Sequence, residues 1–218
     1  MNIGVTGKVT RFEELKQTLP EALHIIFKES FTPEEIADCA VFFDLSFEEQ
    51  PERIKTYASV PGTLFLLSAV TLQLGRVAHE AGMELPLHIM GFNALPGFIN
   101  RSVKEISRHH EGQKENIARV ETLLKWKAGV THDRVGMVSP RILFMIMNEA
   151  YFTLQEGTAG KEDIDTAMML GTNYPMGPFA WAKKIGIKTV VEVLDAVYHD
   201  THDARYKVCQ LLRTESYQ

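Results

Sequence analysis

The chain has 218 residues, 45% of them hydrophobic, enough to bury one large core or two modest ones. A formal net charge of -5 leaves no basic surface that would call for nucleic acid or anionic lipid. No apolar run approaches the roughly 20 residues of a membrane span or resembles a secretory leader, and Cys39 and Cys209 are too far apart to suggest a disulfide scaffold, so a soluble cytoplasmic protein is expected.

Residues 1–7 read as a strand ending in glycine, 11–19 as a helix and 23–27 as a second strand. A short helix over 33–37 starts at Thr32, with Pro33 at its first position. CAVFFDL, residues 39–45, is a third strand with no polar alternation before Asp44, the pattern of a sheet covered on both faces. A helix over 51–58, a strand over 63–67, a helix over 72–81 and a strand over 87–92 follow. Alternating strands and helices with short loops call for a parallel sheet in a doubly wound α/β layer. Glu105-Ile106 starts one more strand, residues 113–127 form a strongly periodic helix that includes Trp126, and Val130 closes the layer.

The remainder is helical. In RILFMIMNEAYFTLQEG the residues Ile142, Leu143, Ile146, Met147, Ala150 and Leu154 share one helical face, and Gly157 is a suitable stop. A helix over 161–170 carries Glu162 and Asp163 in its first turn, where they offset the positive end of the macrodipole, and Gly171 stands after its end. Asn173-Tyr174-Pro175-Met176-Gly177-Pro178 must be a rigid corner, because each proline removes a donor and restricts the residue before it. Helical periodicity resumes over 179–185 and 188–198, split by Gly186, and a last helix carries Leu211 and Leu212.

This order of helices, with Asn148-Glu149-Ala150, Glu162-Asp163-Ile164-Asp165-Thr166-Ala167-Met168, Leu170-Gly171, Asn173, Pro175-Met176-Gly177-Pro178, Arg205-Tyr206 and Leu211-Leu212-Arg213, resembles the C-terminal domain of the 3-hydroxyacyl-CoA dehydrogenases. The resemblance implies a shortened Rossmann-like domain over residues 1–133, followed by a helical dimerisation domain over 134–218. It also implies a homodimer, NAD as cofactor and an acyl-CoA as the small-molecule partner.

In that family a histidine removes the proton of the substrate's 3-hydroxyl and is oriented by a glutamate. A serine and an asparagine hold the substrate oxygen, and hydride passes to NAD. Such chemistry needs a base within hydrogen-bond reach of the hydroxyl, donors for the developing oxyanion, and a glycine-rich turn for the pyrophosphate. The turn after the first strand offers only Gly4 and Gly7, not G-x-G-x-x-G, and the ribose-binding acid could be supplied only by Glu29. Where the family has His-Phe-Phe-Asn-Pro this chain reads Met90-Gly91-Phe92-Asn93-Ala94, so Gly91 stands where the base belongs. His88 is the nearest imidazole, Glu105 matches the orienting glutamate, Ser68 the serine, and Pro140 falls on the asparagine. The site residues expected are therefore Glu105, Ser68 and His88 for catalysis, and Gly4, Gly7 and Glu29 for cofactor binding.

The pairs His109-His110 and His199/His202 lie beside acids but read as solvated helix caps, so no metal site is expected. Together these features describe a dehydrogenase relative whose NAD-dependent oxidation of 3-hydroxyacyl-CoA is reduced or lost. The alternative is a non-catalytic homodimeric or accessory protein that binds acyl-CoA or a partner dehydrogenase.

Overall fold

The computed structural model describes residues 1–218 and divides into two compact units, Met1–Met137 and Val138–Gln218. The first holds seven strands: β1 Asn2–Thr6, β2 His24–Phe27, β3 Val41–Asp44, β4 Leu64–Ser68, β5 Ile89–Phe92, β6 Val103–Arg108 and β7 Lys127–His132. They lie in the order β2-β1-β3-β4-β5-β6-β7. The first five strands are mutually parallel, linked through helices α1 Val9–Lys16, α2 Pro33–Ala37, α3 Ile54–Ala58 and α4 Leu74–Glu80.

The expectation of a parallel sheet fails at one joint, since β5 and β6 are antiparallel. Residues 93–102 are too few to carry a crossover helix back along the sheet, so the chain reverses direction instead. Helix α5, Gln113–Leu124, then returns the chain so that β7 runs parallel to β6.

The unbroken apolar run in β3 has the predicted meaning. Phe43 packs on one face against Phe92 and Trp126, with centroids 5.8 and 5.7 Å away, while Phe42 faces Tyr57 and Phe65 on the other. Burying each such side chain stabilises the fold by about 1.5–3 kcal/mol. Trp126 is not in a helix as its spacing suggests. Lys125 takes a left-handed conformation (φ 55°) and ends α5, after which the indole stacks on Phe92 and donates to the Thr18 carbonyl at 3.0 Å. Thr32 and Glu35 form the capping box that starts α2, each side chain accepting from the other's backbone.

The second unit holds α6 Ser139–Gln155, α7 Lys161–Thr172, α8 Pro178–Ile185, α9 Ile187–Thr201 and α10 Gln210–Glu215. Gly157 (φ 74°) follows α6 as expected, but α7 runs through Gly171 and ends at Asn173 (φ 55°). The side-chain amide of Asn148, buried in α6, accepts from the Cys209 N–H at 2.8 Å and donates to the Lys207 carbonyl at 2.9 Å, seating the C-terminal segment. Arg213 grips Asp195 through both guanidinium nitrogens, at 2.6 and 2.9 Å. Both cysteines are buried and free.

Candidate functional site

In open α/β sheets ligands bind at the carboxyl ends of the strands, where the strand order reverses. Here β2 lies on one side of β1 and β3, β4 and β5 on the other, so the reversal falls between β1 and β3. Gly7 makes the turn out of β1 with φ 123°, a conformation that favours glycine. A Cβ there would lie 2.9 Å from the Cβ of Leu45, and one at Gly4 would meet the ring of Phe42 at 2.5 Å. Both glycines therefore let β1 pack closely on β3.

Across from Gly7, Asp44 is fully buried and accepts from the Ser46 N–H at 3.0 Å, Arg53 Nη1 at 3.2 Å and the Tyr57 hydroxyl at 2.7 Å. Burial pushes the Tyr57 phenol far up, and the neighbouring Asp44 carboxylate adds to this, so the phenol stays a donor. Glu29 follows β2 and is exposed, its carbonyl accepting from Thr6 Oγ1 at 2.8 Å. The cavity that Glu29, Phe31, Arg53 and Tyr57 border measures about 120 Å³. Pockets that enclose drug-sized ligands usually measure roughly 300–1,000 Å³.

Ser68, at the end of β4, is buried, and its hydroxyl donates to Glu48 at 2.9 Å. Glu48 also accepts from the N–H groups of Val70 and Thr71 at 2.5 and 2.7 Å, locking the loop after β4. Glu105 in β6 accepts from the side-chain amide of Asn93 at 3.0 Å. Ser68 and Glu105 flank the end of β5 on opposite sides, about 10 Å apart at the usual strand spacing. His88 lies at the other end of β5, its Nε2 donating to the Tyr57 carbonyl at 3.3 Å, with burial holding its pKa below the ordinary histidine value. Ser68 and Glu105 lie at the same end of the sheet, but the register puts Ser68 on the Phe92 face and Glu105 on the opposite one, and His88 lies some four residues away, about 13 Å along the strand.

The position assigned to the base also needs correcting. Counted back from Asn93, the motif's first residue falls on Met90, which packs into the core with Phe92. Strand alternation puts Gly91 on the Glu105 face, but a Cβ there would collide with Ser107 Oγ and lie 3.3 Å from the Cβ of Ala69. Neither position carries a base. Pro140 sits buried in the first turn of α6, where its missing N–H costs nothing.

Sequence reasoning missed Asn93 as the partner of Glu105, Glu48 as the partner of Ser68, and the Asp44–Arg53–Tyr57 cluster. Asn93 was already part of the quoted motif. Glu48 and Asp44 find their partners across sequence gaps that no local pattern signals.

A parallel-dominated sheet with helices, joined to a five-helix unit, defines a Rossmann-like protein with an appended helical domain. Residues 136–215 match the family model described as 3-hydroxyacyl-CoA dehydrogenase, C-terminal domain. A probable 3-hydroxybutyryl-CoA dehydrogenase of Bacillus subtilis is 30% identical over 205 residues, covering 91% of this chain and 67% of that protein. The 3-hydroxyadipyl-CoA dehydrogenase of Escherichia coli is 46% identical over 81 residues, 37% of this chain and 17% of that one. The crystal structure of (S)-3-hydroxybutyryl-CoA dehydrogenase from Ralstonia eutropha superposes with a TM-score of 0.75 at 20% identity, covering 98% of this chain and 92% of that one. The chain belongs to the 3-hydroxyacyl-CoA dehydrogenase family. It spans only 17% and 67% of the two curated relatives named here.

Proposed function

We propose that this protein takes an acyl-CoA as ligand in fatty acyl-CoA metabolism, and that its NAD-dependent oxidation of 3-hydroxyacyl-CoA is reduced or lost. The observation that carries the reading is the environment of Glu105. Its carboxylate, which in the family would orient an imidazole, is engaged by the Asn93 amide, and a Cβ at the neighbouring Gly91 would meet Ser107 Oγ. An amide cannot accept and release a proton near neutral pH, so the general-base step has no carrier at this place. The packing of Gly4 and Gly7 against β3, and the small cavity beside Glu29, support weakened NAD binding as well.

The deciding assay follows NADH formation from 3-hydroxybutyryl-CoA at high protein concentration, beside a family member with a complete His-Phe-Phe-Asn-Pro motif. Turnover should be lower by about 10²- to 10⁴-fold, the usual contribution of a general base. Turnover at the comparison enzyme's rate would sink the proposal.

A non-catalytic homodimeric or accessory role is the second reading, favoured by the exposed apolar side chains Ile142, Met169 and Leu170 of the helical unit. No helix is long and apolar enough to cross a membrane. A cytoplasmic location is part of the proposal. Sedimentation of the purified chain should give twice its monomer mass, and a monomer at all concentrations would remove the homodimer.

A further inference from the structure

A second cavity of the α/β unit, about 570 Å³, lies away from the β1–β3 crevice, where the ends of β6 and β7 meet the start of α4. Three guanidiniums line it, those of Arg76, Arg108 and Arg134, against a single carboxylate, that of Asp133. In a chain whose net charge is -5 this gathers positive charge at one place, although Glu80 and Glu111 pair with two of the three arginines.

The carboxylate is engaged by the protein itself. Asp133 is buried, accepts from the N–H groups of Leu74 and Gly75 at 3.0 and 2.7 Å, and stands 3.3 Å from Nδ1 of His109. Its carbonyl accepts from Gln73 Nε2 at 3.1 Å. Asp133 thus ties the end of β7 to α4, and the imidazole of His109 lies so close over Gly75 that a Cβ there would strike the ring. These bonds fix the cavity wall, with Arg76 and Arg134 exposed and Arg108 half-buried. Arg108 is the most enclosed of them, its side chain 12% exposed and paired with Glu111 at 2.5 Å. Arg76 pairs with Glu80 at 3.3 Å, both side chains largely exposed. The exposed Arg76–Glu80 pair is worth roughly 0–1 kcal/mol, so a bound oxyanion can draw Arg76 to itself.

We propose that this cavity binds the phosphate groups of a small molecule carrying two or more of them. Guanidinium forks match phosphate oxygens bidentately, three of them can serve two phosphates, and the volume lies in the range of small-ligand sites. The site does not depend on whether the chain oxidises anything, so it stands or falls apart from the dehydrogenase reading. The phosphates could be those of coenzyme A, of a dinucleotide or of free diphosphate, and the test separates them.

Calorimetric titration of the full chain at low salt uses four probes: inorganic diphosphate, adenosine 3′,5′-bisphosphate, coenzyme A and NADH. At least one should bind, and Arg76→Gln with Arg134→Gln should weaken it by about tenfold or more, one factor of ten per 1.4 kcal/mol. Lys188→Gln, on the exposed face of α9, should leave it unchanged. Shared binding of the bisphosphate and coenzyme A assigns the site to a coenzyme A moiety, binding of NADH to a dinucleotide, and binding of diphosphate alone to the free anion. If the double variant loses its circular dichroism spectrum, Arg134→Gln alone, an exposed position, carries the test. No binding by any probe, or equal affinity in the variant, overturns the proposal.

Discussion

The side-chain amide of Asn93 donates to Glu105 Oε2 at 3.0 Å while the Asn93 N–H donates to the Glu105 carbonyl at the same distance. Side chain and backbone are thus joined at one rung between β5 and β6, where the chain reverses direction. Asn93 is 2% exposed, so its amide has no water to turn to. Asn93→Leu should lower stability by about 1–3 kcal/mol, because it removes the bond to Glu105 and takes the Asn93 Oδ1 acceptor from the buried Leu95 N–H. Glu105→Gln keeps an acceptor oxygen for the amide and should cost less. Urea denaturation of the two variants gives the comparison, and equal losses would mean that the pair contributes nothing of its own.

Gly91 and Ser107 compete for one volume. Gly91→Ala should cost about 1–3 kcal/mol, as overpacking of a buried site does. Ser107 Oγ is buried without a hydrogen-bond partner, so Ser107→Ala should be neutral or stabilising. In the double variant most of the Gly91→Ala loss should return. A thermal-denaturation cycle showing simple additivity would place the strain elsewhere.

His88 supplies a pH signature. Burial lowers its folded-state pKa, and the hydrogen bond to Tyr57 only partly opposes this. The unfolded chain, with an ordinary histidine value near 6.5, binds the proton at a higher pH than the folded chain does. Stability from this group is therefore fully present above about pH 6.5 and is lost as pH falls toward the folded value. His88→Gln should flatten that part of the profile, measured as denaturation midpoint from pH 7.5 to 5 (about the range in which histidine titrates). An unchanged slope would assign it to another group.

Asp165 caps α8 from outside the helix, its carboxylate accepting from Phe179 N–H at 2.9 Å and Ala180 N–H at 3.1 Å. Asp165→Ala should cost about 1–2 kcal/mol by freeing two first-turn donors and removing a favourable charge at the helix start. Gly177→Ala should be at least as damaging, since its Cβ would overlap the Asp165 side chain. Melting temperatures of both variants test this, and a wild-type value for Asp165→Ala would show the cap to be dispensable.

Much of the architecture was legible in the sequence because it follows from short-range chemistry. The Thr32-Pro33 start of α2, the two-faced apolar run of β3 and the proline corner before α8 all depend on neighbours within a few residues. The end of α7 was misplaced because Asn173 took the left-handed role that Gly171 seemed to offer. The expectation of a parallel sheet fails at β6 because the ten-residue connection after β5 is too short for a crossover. Of the expected site residues, Ser68 and Glu105 lie at one end of the sheet on opposite faces and His88 lies at the other end, since strand position and register fix where a side chain sits.

By itself the sequence determined the two-part layout, the family likeness of the helical half and the lack of a glycine-rich turn, because each is written in residue types at fixed short spacings. Only the tertiary structure decided that Glu105 is held by Asn93, that Ser107 closes the space beside Gly91 and that Arg76, Arg108 and Arg134 line one cavity. Those relations join segments far apart in the chain, and steric exclusion and charge act between atoms in space rather than between positions in order.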